Sequence, residues 1–348
     1  MAPDGPRLGI RLEVAGTAAP AGRGGLFSEP LIFEALSPDH PLTVEGKPYR
    51  GEILVRADSA SGRLGIVNAV RIEEYLRGVV PLEMGSSEDL PLSALEAQAI
   101  AARSYALYYL GRRAQTHGCD LLAGPEDQVY GGIAAESPLA CRAVAETWGI
   151  VALYGDRPIR ANYCSTCGGR TDWNDRIWER QERVPYLRPI QDEMDGEALC
   201  TASPHYRWEE CWTCEELARV VLKHLREEVP AARGQTIGRL RDIRVTGRSP
   251  SGRAEILAIV TEGGTYDVRG DRIRWVIRRA DGALLRSTYF DDFERIDDDP
   301  CTIRLKGAGY GHGVGMCQFG AIELGRRGVG PGEILRHYYP GIGLARWW

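Results

Sequence analysis

Residues 68–84 read NAVRIEEYLRGVVPLEM. The first part ends a short β-branched run, GRLGIVNAV, and the part from Ile72 onward begins as a helix. Pro81 has no N–H and its ring crowds the preceding turn, so a short helix broken near this proline is predicted. A strand that feeds directly into a helix sets the reading of the chain on either side.

Upstream, the first 70 residues have strand character. RLGIRLEV alternates, GEILVRA is a second short run, and Gly, Pro and Ser punctuate them. Downstream, SALEAQAIAARSYALYYL (93–110) is the strongest helix, with Ser93 and Glu96 spaced as a capping box and Gly111 placed to close it. Gln98, Ala102, Tyr105 and Tyr109 share one face, and Ile100, Arg103 and Leu107 another. Gln98 and Arg103 stand about 140° apart around the axis, so one small site does not use both directly. A second helix starts near Ser137, a hairpin turns at Gly155–Asp156, a charged helix spans 215–229, and hairpins follow before two C-terminal helices. This order predicts an α+β fold rather than a regular βαβ series. The expected organisation is a β-rich segment over 1–48 and a main domain over 49–348, with a hairpin-rich section at about 235–295.

The chain has 348 residues and a net charge of −5. No basic stripe supports a nucleic-acid partner. No run of ~20 apolar residues predicts a membrane span. The start, MAPDGPRLGIRLEV, lacks the basic and apolar regions of a secretory signal, which leaves a cytoplasmic chain, a trimmed form, or export by another signal.

Three sets of residues carry candidate chemistry. In GAGYGHGVGMCQFGA (307–321), glycines at every second position from Gly307 to Gly315 leave one edge without side chains, so a ligand or another backbone can approach closely. The spacing fits neither a P-loop nor a dinucleotide fingerprint. A flexible hairpin with a surface histidine is the plainer reading. Glu83, between apolar neighbours two residues after Pro81, sits where partial burial favours a general acid, although a solvated or capping role is the more ordinary one for a glutamate there. Nine cysteines include two CxxC pairs, CSTC and CWTC. Zinc, a disulfide in an exported chain, and unrelated buried thiols all remain open.

Taken in order, NAVRIEEYLRGVVPLEM, LEAQAIAARSYAL, QVYGG, YCSTCGG with PYLRPIQD, SGRAEILAI, and GYGHGVGMCQFGA with ILRHYYPG resemble the stage II sporulation protein D (SpoIID) family and its amidase-enhancer (LytB) relatives. The resemblance runs from roughly Tyr49 to Leu344. It implies a SpoIID-like fold with a central substrate cleft, a place in the cell envelope, and lytic transglycosylase activity on peptidoglycan. That reaction cuts the β-1,4 bond after N-acetylmuramic acid, preferably in strands without stem peptides, and leaves a 1,6-anhydro sugar. No cofactor is required for it. The resemblance places the catalytic acid on Glu83 and makes Gln98, Arg103, Tyr130, Ser165, His312 and Gln318 candidates for lining the cleft. A non-catalytic, peptidoglycan-binding activator of a cell-wall amidase is the alternative, and nothing in the sequence requires sporulation. The Cys, His, Cys zinc cluster of some members falls in HGCDLLAGPEDQVY. His117 and Cys119 remain there, but Glu126 and Asp127 replace the other ligand types. If the chain holds a structural zinc, its expected ligands are Cys164, Cys167 and Cys200, with His205, Cys211 or Cys214 as a fourth.

Overall fold

The computed structural model describes residues 5–12, 31–37, 39–58, 63–113, 118–179, 181–297 and 299–348. The chain is α+β, with helices and several small sheets. It divides into two compact units, one formed by Met1–Ala161, Gly328–Leu335 and Gly341–Trp348, the other by Asn162–Arg327 and Arg336–Pro340. Strand Arg7–Leu12 lies between Arg63–Arg71, antiparallel with Ile10 opposite Asn68, and Leu121–Leu122, parallel. Its alternating Leu8, Ile10 and Leu12 are buried, and an alternating strand can hide such a face only by joining a sheet. Leu31–Glu34 and Glu52–Asp58 complete the five strands.

Strand Arg63–Arg71 passes straight into helix α1, Ile72–Met84. Pro81 does not break it. The proline falls in the last turn, where its missing N–H removes a single bond, and the Gly85 N–H still reaches the Pro81 carbonyl at 2.9 Å. Helix α2, Leu92–Tyr109, begins one residue before Ser93, so the expected capping box is not formed. Six of its alanines are buried, and α1, the helix α3 (Pro138–Glu146) and strand Ile150–Tyr154 all pack on it. The two faces read from the sequence thus merge into a helix enclosed over most of its circumference. α3 starts as expected, with Ser137 at the N-cap and Pro138 in the first turn. Ile150–Tyr154 turns back through Gly155 to Arg157–Pro158, and Gly343–Arg346 pairs along its other edge.

In the second unit, helix Cys214–Glu228 carries a formed capping box between Thr213 and Glu216. Leu217, Val221 and Leu225, four residues apart, are buried in one cluster with Trp212, Leu257, Ile259 and Phe290. Strands Leu240–Arg248, Ala254–Thr261 and Gly264–Arg269 make the expected meander. Trp208–Thr213 pairs with Thr302–Gly307, and a disulfide joins Cys214 to Cys301 beside that pairing. The short strands Tyr163–Cys164 and Met316–Cys317 run parallel, which brings YCSTCGG alongside the glycine-rich segment.

Candidate functional site

Glu83 occupies the last turn of α1 and is half-buried. The backbone N–H of Val129 donates to its Oε1 at 2.8 Å. Val129 belongs to QVYGG, and that segment is fixed on both sides. Tyr75 donates its hydroxyl to Gln128 Oε1 (3.2 Å), Gln128 Nε2 donates to the Ala102 carbonyl (3.4 Å), and Gly131 N–H donates to the Gly78 carbonyl (3.2 Å). A Cβ at Gly78 would lie 2.7 Å from the Gly132 carbonyl oxygen and 2.8 Å from the Tyr130 ring. Glycine at position 78 is therefore what lets QVYGG lie against α1 and deliver an amide to Glu83.

Three of the other residues expected to line a cleft have internal roles in this unit. Arg103 is 0% exposed. Its Nε and Nη2 donate to the two oxygens of Glu73 at 2.8 and 2.6 Å, and its Nη1 to the Ile150 carbonyl at 3.1 Å. Gln98 is also 0% exposed on α2. Tyr130 is 6% exposed, donates to Asn68 Oδ1 at 2.9 Å and packs against Tyr49 and Tyr75, so its ring belongs to the core. Alanine-rich packing around α2 draws these polar groups inside, and buried polar groups persist where they are bonded. The resemblance-based zinc position is altered as well. Asp127 is ion-paired to Arg113 and accepts from Tyr105 and the Leu122 N–H, while His117 lies outside the described residues.

The glycine-rich segment belongs to the second unit. Its side-chain-free edge is filled by the protein itself. A Cβ at Gly309 would lie 2.7 Å from the Thr166 carbonyl and one at Gly311 3.0 Å from Cys164 Cβ, while Gly313 abuts the Arg253 guanidinium and Gly315 the Asn162 carbonyl. All four have φ between 72° and 104°. Backbone bonds lace the segment in place: Tyr310 exchanges two with Thr166, Gly309 N–H reaches the His205 carbonyl, and Gly311 N–H the Arg286 carbonyl. Of the two partners that an alternating glycine edge could admit, a ligand or another backbone, this edge takes the backbone.

His312 is half-buried within the segment and its ring lies 4.8 Å from that of Trp178. Burial pushes its pKa down to about 4; Arg274 and Arg253 add to the shift, while Asp271 and a hydrogen bond to the Tyr163 backbone oppose it. The ring is therefore neutral near pH 7. Val314 N–H donates to Nδ1 at 3.0 Å, which assigns the proton to Nε2. Ser165 is half-buried with its hydroxyl 3.3 Å from that of Thr166. Gln318, the first residue of helix Gln318–Arg326, is 6% exposed.

The cysteines regroup relative to their sequence spacing. Cys167, Asp192, Cys200 and Cys317, all buried, bring their Sγ and carboxylate atoms within 4.8 Å of one another. Cys164 is not a member of this group. It is buried beside Gly311, and burial pushes its thiol up to about 12. Cys214 is in the disulfide, Cys211 is exposed, and His205 stacks on Tyr310, so none of the three completes the set. Cys200 is held below the ordinary thiol range by hydrogen bonds from Cys167 and Cys317, whereas burial raises the latter two. Asp192 and Cys317 were not read as ligands from sequence. PIQD gives no ligand spacing, and Cys317 is separated from Cys167 by 150 residues.

Residues 60–154 match the profile of the SpoIID family, described as stage II sporulation protein. The matched stretch contains α1, α2 and QVYGG, the elements that hold Glu83. The match places residues 60–154 in the SpoIID family. Residues 194–315 match a domain of unknown function (DUF8618). An uncharacterized protein of Brachyspira hyodysenteriae is 29% identical over 92% of this chain and 77% of its own length. The amidase enhancer of Bacillus subtilis is 27% identical over 89% of this chain, which spans only 46% of that protein. Stage II sporulation protein D of Bacillus amyloliquefaciens is 26% identical over 80% of this chain and 75% of its own.

Proposed function

We propose that the protein is a peptidoglycan lytic transglycosylase in which Glu83 acts as both acid and base. The observation that carries this reading is the placement of Glu83: a half-buried carboxyl group on a helix end, held through one oxygen by the Val129 amide. A catalytic group must be held within a fraction of an ångström, and α1 together with QVYGG supplies that support. The chemistry needs one carboxyl group. A glycoside hydrolase uses a second carboxylate to activate water or to attack the sugar, whereas here the 6-hydroxyl of the N-acetylmuramic acid attacks its own anomeric carbon. Glu83 gives its proton to the departing glycosidic oxygen as the C–O bond breaks. The resulting carboxylate takes the 6-hydroxyl proton as the 1,6-anhydro bond forms, and the acid is restored.

The SpoIID match and the likeness to cell-wall proteins support a cell-wall substrate, namely glycan strands, and a place in the envelope or outside the cytoplasm. The Cys214–Cys301 disulfide agrees with an oxidising compartment. No described helix is long and apolar enough to cross a membrane. No metal or organic cofactor enters the reaction as drawn.

The test is mass spectrometry of products released from peptidoglycan stripped of stem peptides. Anhydro products one water lighter than hydrolysis products are expected, and Glu83→Gln should reduce their release by at least about a hundredfold, the usual scale of general acid–base catalysis. Wild-type-like release by a folded Glu83→Gln protein would overturn the assignment. The likeness to an amidase enhancer favours a second reading, a peptidoglycan-binding activator of an amidase. Binding to sacculi and stimulation of an amidase, with no glycan products, would establish that reading instead.

A further inference from the structure

We infer that Cys167, Asp192, Cys200 and Cys317 form a closed, structural zinc site in the second unit. Three sulfurs and one carboxylate converge in a fully buried place, their donor atoms within 4.8 Å of one another. Zinc takes such ligands tetrahedrally with Zn–S near 2.3 Å, which sets two bound sulfurs roughly 3.8 Å apart. The Cys167 and Cys200 sulfurs stand 3.7 Å apart, too far for a disulfide and right for a shared ion.

The surroundings are those of thiolate ligands. Cys167 N–H donates to Cys317 Sγ at 3.2 Å, and Gly169 N–H donates to Cys167 Sγ at 3.3 Å. The second bond depends on the turn Cys167-Gly168-Gly169, whose glycines have φ of 80° and 106°. Tyr338 donates its hydroxyl to Asp192 Oδ1 at 2.7 Å, while Oδ2 faces the sulfurs, 2.9 Å from Cys167 Sγ. Such outer bonds orient metal ligands and tune their basicity. Arg253, itself buried, donates to the Cys167 carbonyl at 2.6 Å and to the Arg170 carbonyl at 3.0 Å, placing a fixed positive charge beside a site whose ligands carry more negative charge than one Zn2+ cancels. Each thiol that binds releases its proton to water. With four protein ligands and no accessible position, the ion serves to hold the fold. It ties four separate stretches, including the start of helix Gln318–Arg326, and does not depend on the proposed glycan chemistry.

The experiment is elemental analysis of the full chain, purified without a metal column, followed by cobalt exchange. About one zinc per chain is expected, and Co2+ should give the intense visible bands and sulfur-to-metal charge transfer of a tetrahedral thiolate site. Cys200→Ser and Cys317→Ser should each weaken metal retention at least about tenfold, the lower end even for loss of a residue that only supports a ligand, while Cys211→Ser, an exposed position outside the cluster, leaves it unchanged. If the ligand variants do not fold, the wild-type stoichiometry and cobalt spectrum decide alone. Less than about a tenth of an equivalent after zinc is supplied, a weak octahedral cobalt spectrum, or a Cys167–Cys200 disulfide in the purified protein would each overturn the inference.

Discussion

Arg103 and Glu73 meet in two hydrogen bonds of 2.8 and 2.6 Å with neither side chain open to water. Glu73 Oε1 also accepts from the Gly149 N–H and from Trp348 Nε1. One carboxylate thus gathers α1, α2, the turn after α3 and the last residue of the chain. Replacing Arg103 by Ala leaves a buried charge uncompensated, and removal of one partner from such a pair costs about 3–5 kcal/mol. Urea denaturation should show that loss, with a large part recovered in Arg103→Met/Glu73→Leu. A glycan-contacting arginine would instead lower activity with little change in stability.

The glycine segment gives a paired comparison. Gly315 and Gly196 both have positive φ, 72° and 81°. Only Gly315 has a neighbour in the way, the Asn162 carbonyl; around Gly196 nothing lies within 4 Å of a built Cβ. Gly196→Ala should cost about 1 kcal/mol, the left-handed backbone penalty alone. Gly315→Ala should cost about 1–3 kcal/mol more, the range for overpacking. Equal losses in thermal or urea unfolding would mean that the edge is not packed as described.

His312 sets a pH dependence. Its folded value of about 4 lies below the unfolded value near 6.5, so between those limits the unfolded chain binds the extra proton. Stability should therefore fall as pH drops from about 6.5 towards 4. The group's share is at most ~3 kcal/mol, reduced by its partial exposure. His312→Gln should flatten that part of the stability–pH curve relative to wild type. An unchanged slope would place the imidazole in solvent.

Much of the fold was legible in local sequence. The strand-to-helix passage at Arg71, the start of α3 at Ser137–Pro138 and the Gly155 turn each depend on residues within a few positions. Pro81 was misread because the cost of a proline depends on how many turns follow it, and here the helix ends within one. Glu83 stood out weakly through its apolar neighbours and more strongly through the resemblance, while the amide that holds it, from Val129, lies 46 residues away and was not legible. Arg103, Gln98 and Tyr130 were named through the resemblance alone, and their burial was not legible in local sequence. Their partners, Glu73 for Arg103 and Asn68 for Tyr130, come from other elements. The cysteine group was half legible: Cys167 and Cys200 lie 33 residues apart, but tertiary contacts alone bring in Asp192 and Cys317.

The first unit is closed by strand Gly343–Arg346 laid against Ile150–Tyr154, with Trp348 reaching Glu73. On a ribosome, therefore, all of 162–327 emerges before the opening unit can be finished. Its hydrophobic strand Ile150–Tyr154 must wait with one edge unpaired, and a waiting strand edge is a template for the wrong partner. Synthesis halted after Arg327 would leave a chain that contains Glu83 and QVYGG intact yet lacks the last strand of the unit holding them.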